Sequence, residues 1–117
     1  MGADLAWHAA SEFRLGFRAA AAHANSRGLV HGGLISALAD NAMGLSCGQK
    51  LADISGLVTV SLSLDFVASA QVGQWVEIRP EVIRTGRALC FARALVTADD
   101  VVCARASGVF MVAVGRP

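Results

Sequence analysis

The sequence predicts an α+β fold in which one long helix is wrapped by a curved antiparallel β-sheet of five to six strands. Two observations lead to this prediction. One stretch after His31 carries apolar residues at helical spacing, and the segments around it alternate apolar with polar residues, as strands do. The 117 residues are enough for one hydrophobic core and too few for two. A single helix can be covered only if the sheet curves around it.

The first predicted strand lies in the segment EFRLGF. Phe13, Leu15 and Phe17 alternate there with charged residues or glycine, which is the period of a half-buried strand. We expect this strand to end near Ala20, where the Ala-rich RAAAAHANS marks a loop or a fraying strand end.

A helix is predicted to begin after His31. Gly32 and Gly33 suit a tight turn into it, and apolar or small residues then recur at helical spacing, namely Leu34, Ile35, Leu38, Ala39, Ala42, Met43, Leu45 and Ser46. At about 100° per residue, Asp40 lies nearly opposite the apolar line, on a face of small residues. Such a helix should be buried on both sides, so we expect a second surface close to Asp40.

From Leu57 onward the apolar period becomes two. The segment LVTVSLSLDFV places Val58, Val60, Leu62, Leu64 and Phe66 on one face and Thr59, Ser61, Ser63 and Asp65 on the other. WVEIRPEVI, ALCFARALVT and VVCARASGVFMVAV follow as three more strands, joined by RTGR and ADD. The predicted order is one strand, one helix and four hairpin-linked strands. The exposed sheet edge would invite pairing with another copy of the chain.

Charge and hydropathy exclude several classes of function. Ten basic and nine acidic residues leave a net charge of +1, which gives no electrostatic footprint for nucleic acid or an anionic membrane. The apolar runs are interrupted well before the roughly 18 residues of a membrane span. The first residues, MGADLAWHAASEF, lack the pattern of a secretory signal, so we expect a cytoplasmic protein.

The three cysteines, Cys47, Cys90 and Cys103, are widely spaced. They form no C-x-x-C pair and have no histidine at ligand spacing. We therefore expect small core residues in a reducing compartment, and no metal site.

Asp40 is the one charged residue of the segment from Gly28 to Gln49, apart from the titratable His31. One interpretation is that its side chain reaches solvent through a gap. The other is that Asp40, which lies near a helix N-terminus and has no salt-bridge partner in this segment, is available to accept a proton or to attack a carbonyl. The N–H groups of Gly32 and Gly33 at the helix start would favour developing negative charge, although a tight turn alone also explains the glycines. His31 fits a loop residue as well as a catalytic one.

The segment from Asn25 to Asn41, NSRGLVHGGLISALADN, resembles the signature of the hotdog-fold acyl-CoA thioesterases of the phenylacetate-degradation and human thioesterase-superfamily type. Asn, Gly, His-Gly-Gly and Asp recur in that family at this spacing. The similarity continues through GLVTVSLSLDFV and RTGRALCF and covers roughly the last four-fifths of the chain. The resemblance implies a single hotdog domain over residues 1–117. It also implies a homodimer with continuous sheets and shared active sites, and a homotetramer built as a dimer of dimers.

The same resemblance implies roles for five residues. Asp40 would be the catalytic carboxylate, as nucleophile or as general base on a water. The Gly32 N–H would polarise the thioester carbonyl, and Asn25 would orient the carbonyl or the water. His31 would brace the loop, and Thr59 would hold the nucleophilic water from the opposite subunit. Without the resemblance, Asn25 is an ordinary turn residue and Thr59 one more strand hydroxyl.

Three further residues are candidates for substrate binding. The absence of a side chain at Gly33 would let a substrate approach the helix start. Arg84 and Arg87 flank the RTGR turn, where they would bind the phosphates of CoA or simply be solvated.

The expected function is hydrolysis of an aryl- or short- to medium-chain acyl-CoA, or of a carrier thioester, to the acid and the thiol. No cofactor or metal is expected, since CoA is part of the substrate. Two alternatives stay open. A non-catalytic hotdog protein would bind acyl-CoA as a sensor and hydrolyse nothing. A hydratase or dehydratase would need an Asp and a His as an acid–base pair in one loop, which the position of Asp40 fits poorly.

Overall fold

The computed structural model describes residues 6–8, 14–51 and 56–112, and it confirms the predicted class of one long helix and an antiparallel sheet. The strands are β1 (Ala6–His8), β2 (Arg14–Arg18), β3 (Leu57–Phe66), β4 (Trp75–Thr85), β5 (Leu89–Ala98) and β6 (Val101–Val112), and the helix is α1 (Gly32–Lys50). The sequence did not predict β1 or the short 3-10 helix at Ala21–His23. Phe13, the expected start of the first strand, lies outside the described residues.

The six strands form one sheet in the order β1-β2-β4-β5-β6-β3. The predicted β4-β5-β6 hairpins are confirmed, and the turn between β5 and β6 places both Asp99 and Asp100 at positive φ. The expected hairpin between β3 and β4 is wrong, because β3 pairs with β6 instead.

The connection from β3 to β4 explains this difference. It pairs with the loop before the helix, since Val30 N–H donates to the Ala70 carbonyl (2.8 Å) and Val72 N–H donates to the Gly28 carbonyl (3.1 Å). The chain thereby passes the start of α1 before it enters β4, which lies three positions from β3 in the sheet. Within the described part of the chain, β3 is left as an edge strand.

The core lies between α1 and the inner face of the sheet. The helix buries Ile35, Leu38, Ala39, Ala42 and Met43 against sheet residues that include Val76, Ile78, Val96 and Phe110. The opposite side of α1 is partly open, because Asn41 is exposed and Leu45 is 45% exposed. Burial of this side by a second subunit, as expected from the sequence, therefore stays a prediction. No helix among the described residues has the length and hydropathy needed to cross a bilayer.

A β-bulge in β3 changes which residues face the helix. Thr59 is opposite Phe110 and Ser61 is opposite Val109, so Val60 has no partner on β6. One extra residue in a strand reverses the inside-outside alternation beyond it. The strict alternation predicted from the sequence is therefore wrong at this point. Thr59 shares the helix-facing side with Leu62, Leu64 and Phe66, whereas Val58 lies on the outer side with Ser61, Ser63 and Asp65.

Two of the three cysteines are paired. Cys47 on α1 and Cys90 on β5 form a disulfide, with their Cα atoms 6.2 Å apart. The expectation of three free thiols is wrong for this pair, because the fold brings together residues separated by 43 positions. Cys103 is free and buried, as expected of a small core residue, and burial raises the pKa of its thiol.

Candidate active site

Asp40 and Thr59 form a hydrogen-bonded pair in one chain. The Thr59 hydroxyl donates to Asp40 Oδ1 at 2.8 Å. The expectation that Thr59 approaches Asp40 from the opposite subunit is therefore wrong, because the bulge at Val60 turns Thr59 toward its own helix. Asp40 is half-buried and forms no ion pair with any residue between 14 and 51 or between 56 and 112. Its second carboxylate oxygen is thus not held by a cation of the described chain.

The Asp40–Thr59 pair lies in a cleft of about 670 Å³ between α1 and the start of β3. The helix side of this cleft includes Gly44 and Gly48, and the sheet side includes Leu57 and Phe110. Asp40 is the one carboxylate in the lining, which otherwise consists of apolar residues, glycines, amides and the Thr59 hydroxyl. The cleft therefore offers one ionisable group beside apolar walls.

The start of α1 presents two backbone N–H groups. Those of Gly32 and Gly33 have no hydrogen-bond acceptor among the described residues, as expected in the first turn of a helix. A Cβ at Gly32 would lie 3.3 Å from Phe66 Cζ, so glycine fits the close approach of this ring. The position of Gly33 is open, with no atom within 4 Å of a Cβ placed there. Both N–H groups can stabilise negative charge with the help of the helix dipole.

His31 braces this helix start through its backbone. Its N–H donates to the His23 carbonyl (3.0 Å), and its own carbonyl accepts the N–H groups of Leu34 and Ile35. The imidazole is exposed and does not cap the helix. All of these contacts are made by the main chain of His31, and the bracing role that the resemblance implies for this residue stays a prediction.

Asn25 is both a turn residue and an available donor. Its Oδ1 accepts the backbone N–H groups of Arg27 (2.9 Å) and Leu29 (3.1 Å), and Gly28 completes the turn with a φ of +76°. Because the oxygen is held by the loop, the amide nitrogen Nδ2 remains to donate. No acceptor for it is found in the described chain.

His23, which was not predicted from the sequence, fixes the same loop. It is 5% exposed, its Nδ1 accepts the Ala20 N–H (2.9 Å), and its ring lies edge-on to Phe17 at 5.1 Å between centroids. Nothing in the local pattern distinguished this histidine from its alanine-rich surroundings. Its place became evident only from the packing of the loop against β2.

The two groups of site residues lie far apart within one chain. Gly32 and Asp40 are both on α1, eight positions apart. At about 1.5 Å of rise per residue, they are separated by roughly 12 Å along the helix. A single thioester carbonyl cannot contact the Gly32 N–H and a water held by Asp40 across that distance. Within one chain, therefore, Asp40 lies beside Thr59. Asn25 is connected to the start of α1 only by the loop that leads from it to Gly32.

Arg84 and Arg87 are exposed on either side of the turn between β4 and β5. Neither has an acidic partner in the described chain, whereas Arg93 pairs with Glu81 at 2.8 Å. The turn lies at the same end of the sheet as Thr59, since Cys90, Phe110 and Thr59 are successive neighbours across β5, β6 and β3. Both arginines are therefore available to an anion near this end.

Comparison with known proteins gives one consistent result. A sequence model of the thioesterase superfamily matches residues 27–104. A Pseudomonas aeruginosa protein provisionally named an esterase is 40% identical over 88 residues, which cover 75% of this chain and 66% of that protein. Mouse acyl-coenzyme A thioesterase 13 is 31% identical over 72 residues, which cover 60% of this chain and 49% of the relative. The chain thus spans about half to two thirds of the length of these relatives.

Solved structures show the same fold. A phenylacetic acid degradation-related protein from Ralstonia eutropha superposes with a TM-score of 0.84 at 26% identity, over 92% of this chain and 84% of the other. A Bacillus halodurans protein solved with CoA superposes with a TM-score of 0.86 at 23% identity, over 97% and 75%. The arrangement of one helix wrapped by an antiparallel sheet is therefore the hotdog fold, and the chain belongs to the thioesterase superfamily.

Proposed function

We propose that this chain hydrolyses acyl-CoA thioesters, with Asp40 as the general base that activates water. The observation that carries the proposal is the hydrogen bond from Thr59 to Asp40 Oδ1 at 2.8 Å. This bond fixes the carboxylate and leaves Oδ2 to take a proton from water, while the Thr59 oxygen can accept a hydrogen bond from the same water. A CoA thiolate leaves readily, so one base and one oxyanion site suffice.

The oxyanion site is supplied by a second copy of the chain. Because Gly32 lies roughly 12 Å from Asp40 on the same helix, its N–H must come from a partner whose helix runs alongside in the opposite direction. Asn25 Nδ2 belongs to this partner half, since its loop leads directly into the Gly32 turn. Each site then combines Asp40 and Thr59 of one chain with Asn25 and Gly32 of the other.

The edge strand β3 supports such a dimer. Val58 and Val60 are 49% and 55% exposed there. An apolar edge strand is a template for pairing with another copy. A further pairing through the outer sheet face, where Phe91 and Leu95 are exposed, would give the dimer of dimers.

We infer that coenzyme A is the thiol portion of the substrate. The Bacillus halodurans neighbour was solved with CoA, a Streptococcus mutans neighbour with acetyl CoA, and the mouse relative is named an acyl-coenzyme A thioesterase. Among the residues that the structure describes, Arg84 and Arg87 have no acidic partner, and they can pair with the CoA phosphates. Arg84 and Arg87 would thus bind the part of the substrate that lies beyond the reacting thioester.

The test is turnover of a panel of acyl-CoA thioesters, followed by thiol release. Asp40→Asn keeps the shape of the side chain and its contact with Thr59 but removes the base. We expect kcat to fall by about 10²- to 10⁴-fold, the range of general-base catalysis, with little change in thermal stability. Turnover close to wild type in this variant would refute the role of Asp40. Binding of acyl-CoA without hydrolysis by the wild type would instead identify a sensor, and hydration of an enoyl-CoA a hydratase.

Isotope labelling distinguishes the two roles that Asp40 could have. A single turnover in ¹⁸O-labelled water should place the label in the product acid, while the Asp40 peptide stays unlabelled. If Asp40 attacked the thioester, hydrolysis of the resulting anhydride at the aspartyl carbon would label the peptide. A labelled peptide would therefore replace the general base with a nucleophile.

A further inference from the structure

We propose that the acyl group of the substrate occupies the cleft that runs from Asp40 past Gly44 toward Gly48, with the ring of Phe110 as its floor. The preferred substrates are then straight-chain acyl thioesters of medium length. This inference rests on the proposed thioesterase activity and assigns Gly44 as the residue that determines chain length.

The cleft has the direction and length that such a chain requires. Asp40, Gly44 and Gly48 follow one another at intervals of four residues, so they lie along one line of α1. From Asp40 to Gly48 this line extends for roughly 12 Å, about the length of an acyl chain of eight to ten carbons. Neither glycine carries a side chain that would fill the space along the helix.

The walls of the cleft are suited to hydrocarbon. Leu45 and Leu57 lie on its two sides, Phe110 lies at its base, and Asp40 is the one charged side chain in the lining. The phosphates of CoA would find no cation there. The acyl portion of the substrate is therefore the portion that this cleft can hold.

The floor of the cleft is fixed in place. Phe110 is 2% exposed, and a Cβ built on Gly108 would lie 2.9 Å from its Cε1 and 3.1 Å from the Cε of Met43. The ring thus fills the space above Gly108 and cannot move down to make the cleft deeper. On the other side, the ring edge lies next to Gly44.

Packing alone does not explain the glycine at position 44. A Cβ built there would lie 3.4 Å from Phe110 Cε2, at the boundary of ordinary van der Waals contact. Alanine would therefore fit, and it is a much better helix former than glycine. A helix that keeps glycine here, one turn after the proposed base, keeps open the path along which an acyl chain would leave the reacting carbonyl.

The test compares Gly44→Ala with the wild type on acetyl-, hexanoyl- and decanoyl-CoA. We expect the ratio of kcat/KM for decanoyl-CoA to that for acetyl-CoA to fall at least tenfold, while the midpoint of thermal unfolding stays equal or rises. Gly48→Ala should shift the preference in the same direction, with a smaller effect on hexanoyl-CoA. The matched control is Ala37→Val, which adds bulk one turn before Asp40 at an exposed position outside the lining of the cleft, and should leave the ratio unchanged.

Two results would overturn the inference and can be told apart from each other. An active wild type whose chain-length ratio is unmoved by Gly44→Ala would refute the acyl path and leave the thioesterase proposal intact. A wild type that turns over no acyl-CoA would refute the proposed function, and the acyl path with it. A non-hydrolysable decanoyl-CoA thioether gives a second readout, since its affinity should fall in Gly44→Ala more than that of the acetyl analogue.

Discussion

Mixing inactive variants tests how the active site is divided between two chains. Asp40→Asn removes the base from one half of the proposed site, and Asn25→Ala removes a donor from the other half. Each variant alone should be strongly impaired, the first by about 10²- to 10⁴-fold and the second by roughly 10²- to 10³-fold, as for loss of one oxyanion donor. Unfolding the two together and refolding them would form mixed dimers.

The expected recovery follows from the geometry. If pairing is random, about half of the dimers are mixed, and each mixed dimer has one site with both wild-type residues and one with neither. Activity should therefore return to roughly a quarter of wild type. The separation of roughly 12 Å between Gly32 and Asp40 on one helix is the reason to expect rescue, since one chain cannot supply both halves.

A second mixture provides the matched control. Asp40→Asn and Thr59→Ala both damage the half-site that one chain contributes, because the two residues are hydrogen-bonded in the same chain at 2.8 Å. Every site of their mixed dimers lacks one of the two residues. This mixture should show only the average of its parents, although subunit exchange occurs equally well.

The assay is thiol release, with exchange confirmed by native mass spectrometry of chains that differ in mass. Rescue in the Asp40/Thr59 mixture would refute the pairing of these residues within one chain. Failure of the Asp40/Asn25 mixture to exceed its parents, despite confirmed mixed dimers, would refute the shared site.

Three other predictions concern the Asp40–Thr59 pair, the phosphates of the substrate and the floor of the cleft. Thr59→Val should lower kcat by about 10- to 100-fold through loss of the hydrogen bond to the base, with Thr59→Ser restoring most of it; an unchanged rate in Thr59→Val would remove Thr59 from the site. Replacing Arg84 and Arg87 with alanine should raise KM for an acyl-CoA more than for the matching pantetheine thioester, and equal effects would assign both to a solvated turn. Gly108→Ala should destabilise the fold by about 1–3 kcal/mol because its Cβ would overlap Phe110, and a urea midpoint equal to that of the wild type would contradict this packing.

The helix was the most predictable part of the fold. Apolar residues at helical spacing and the His31-Gly32-Gly33 start determine it locally, and α1 runs from Gly32 to Lys50 as that pattern indicates. The position of β3 could not be predicted in the same way. Its partner depends on the hydrogen bonds from Val30 to Ala70 and from Val72 to Gly28, which join segments that are distant in sequence.

Some residues of the candidate site could likewise be predicted from the sequence, and others could not. Asp40, as the lone carboxylate of its segment, could be singled out from the sequence, and so could the N–H groups at the helix start. The pairing of Cys47 with Cys90 could not, because their spacing of 43 residues carries no local signal. The proposed division of the site between two chains rests on the helix rise and the bounds of α1, and the sequence suggests it only through the family resemblance.

The bulge at Val60 is the feature that joins fold and chemistry. In a regular strand, turning Thr59 toward the helix would also turn Ser61, Ser63 and Asp65 inward and would expose Leu62 and Leu64. One unpaired residue removes this conflict, because the strand can then face the helix with Thr59 before the bulge and with Leu62 and Leu64 after it. Asp65 consequently points outward, where it pairs with Arg105 at 2.8 Å. The same extra residue therefore keeps the core apolar and delivers the hydroxyl that holds the proposed base.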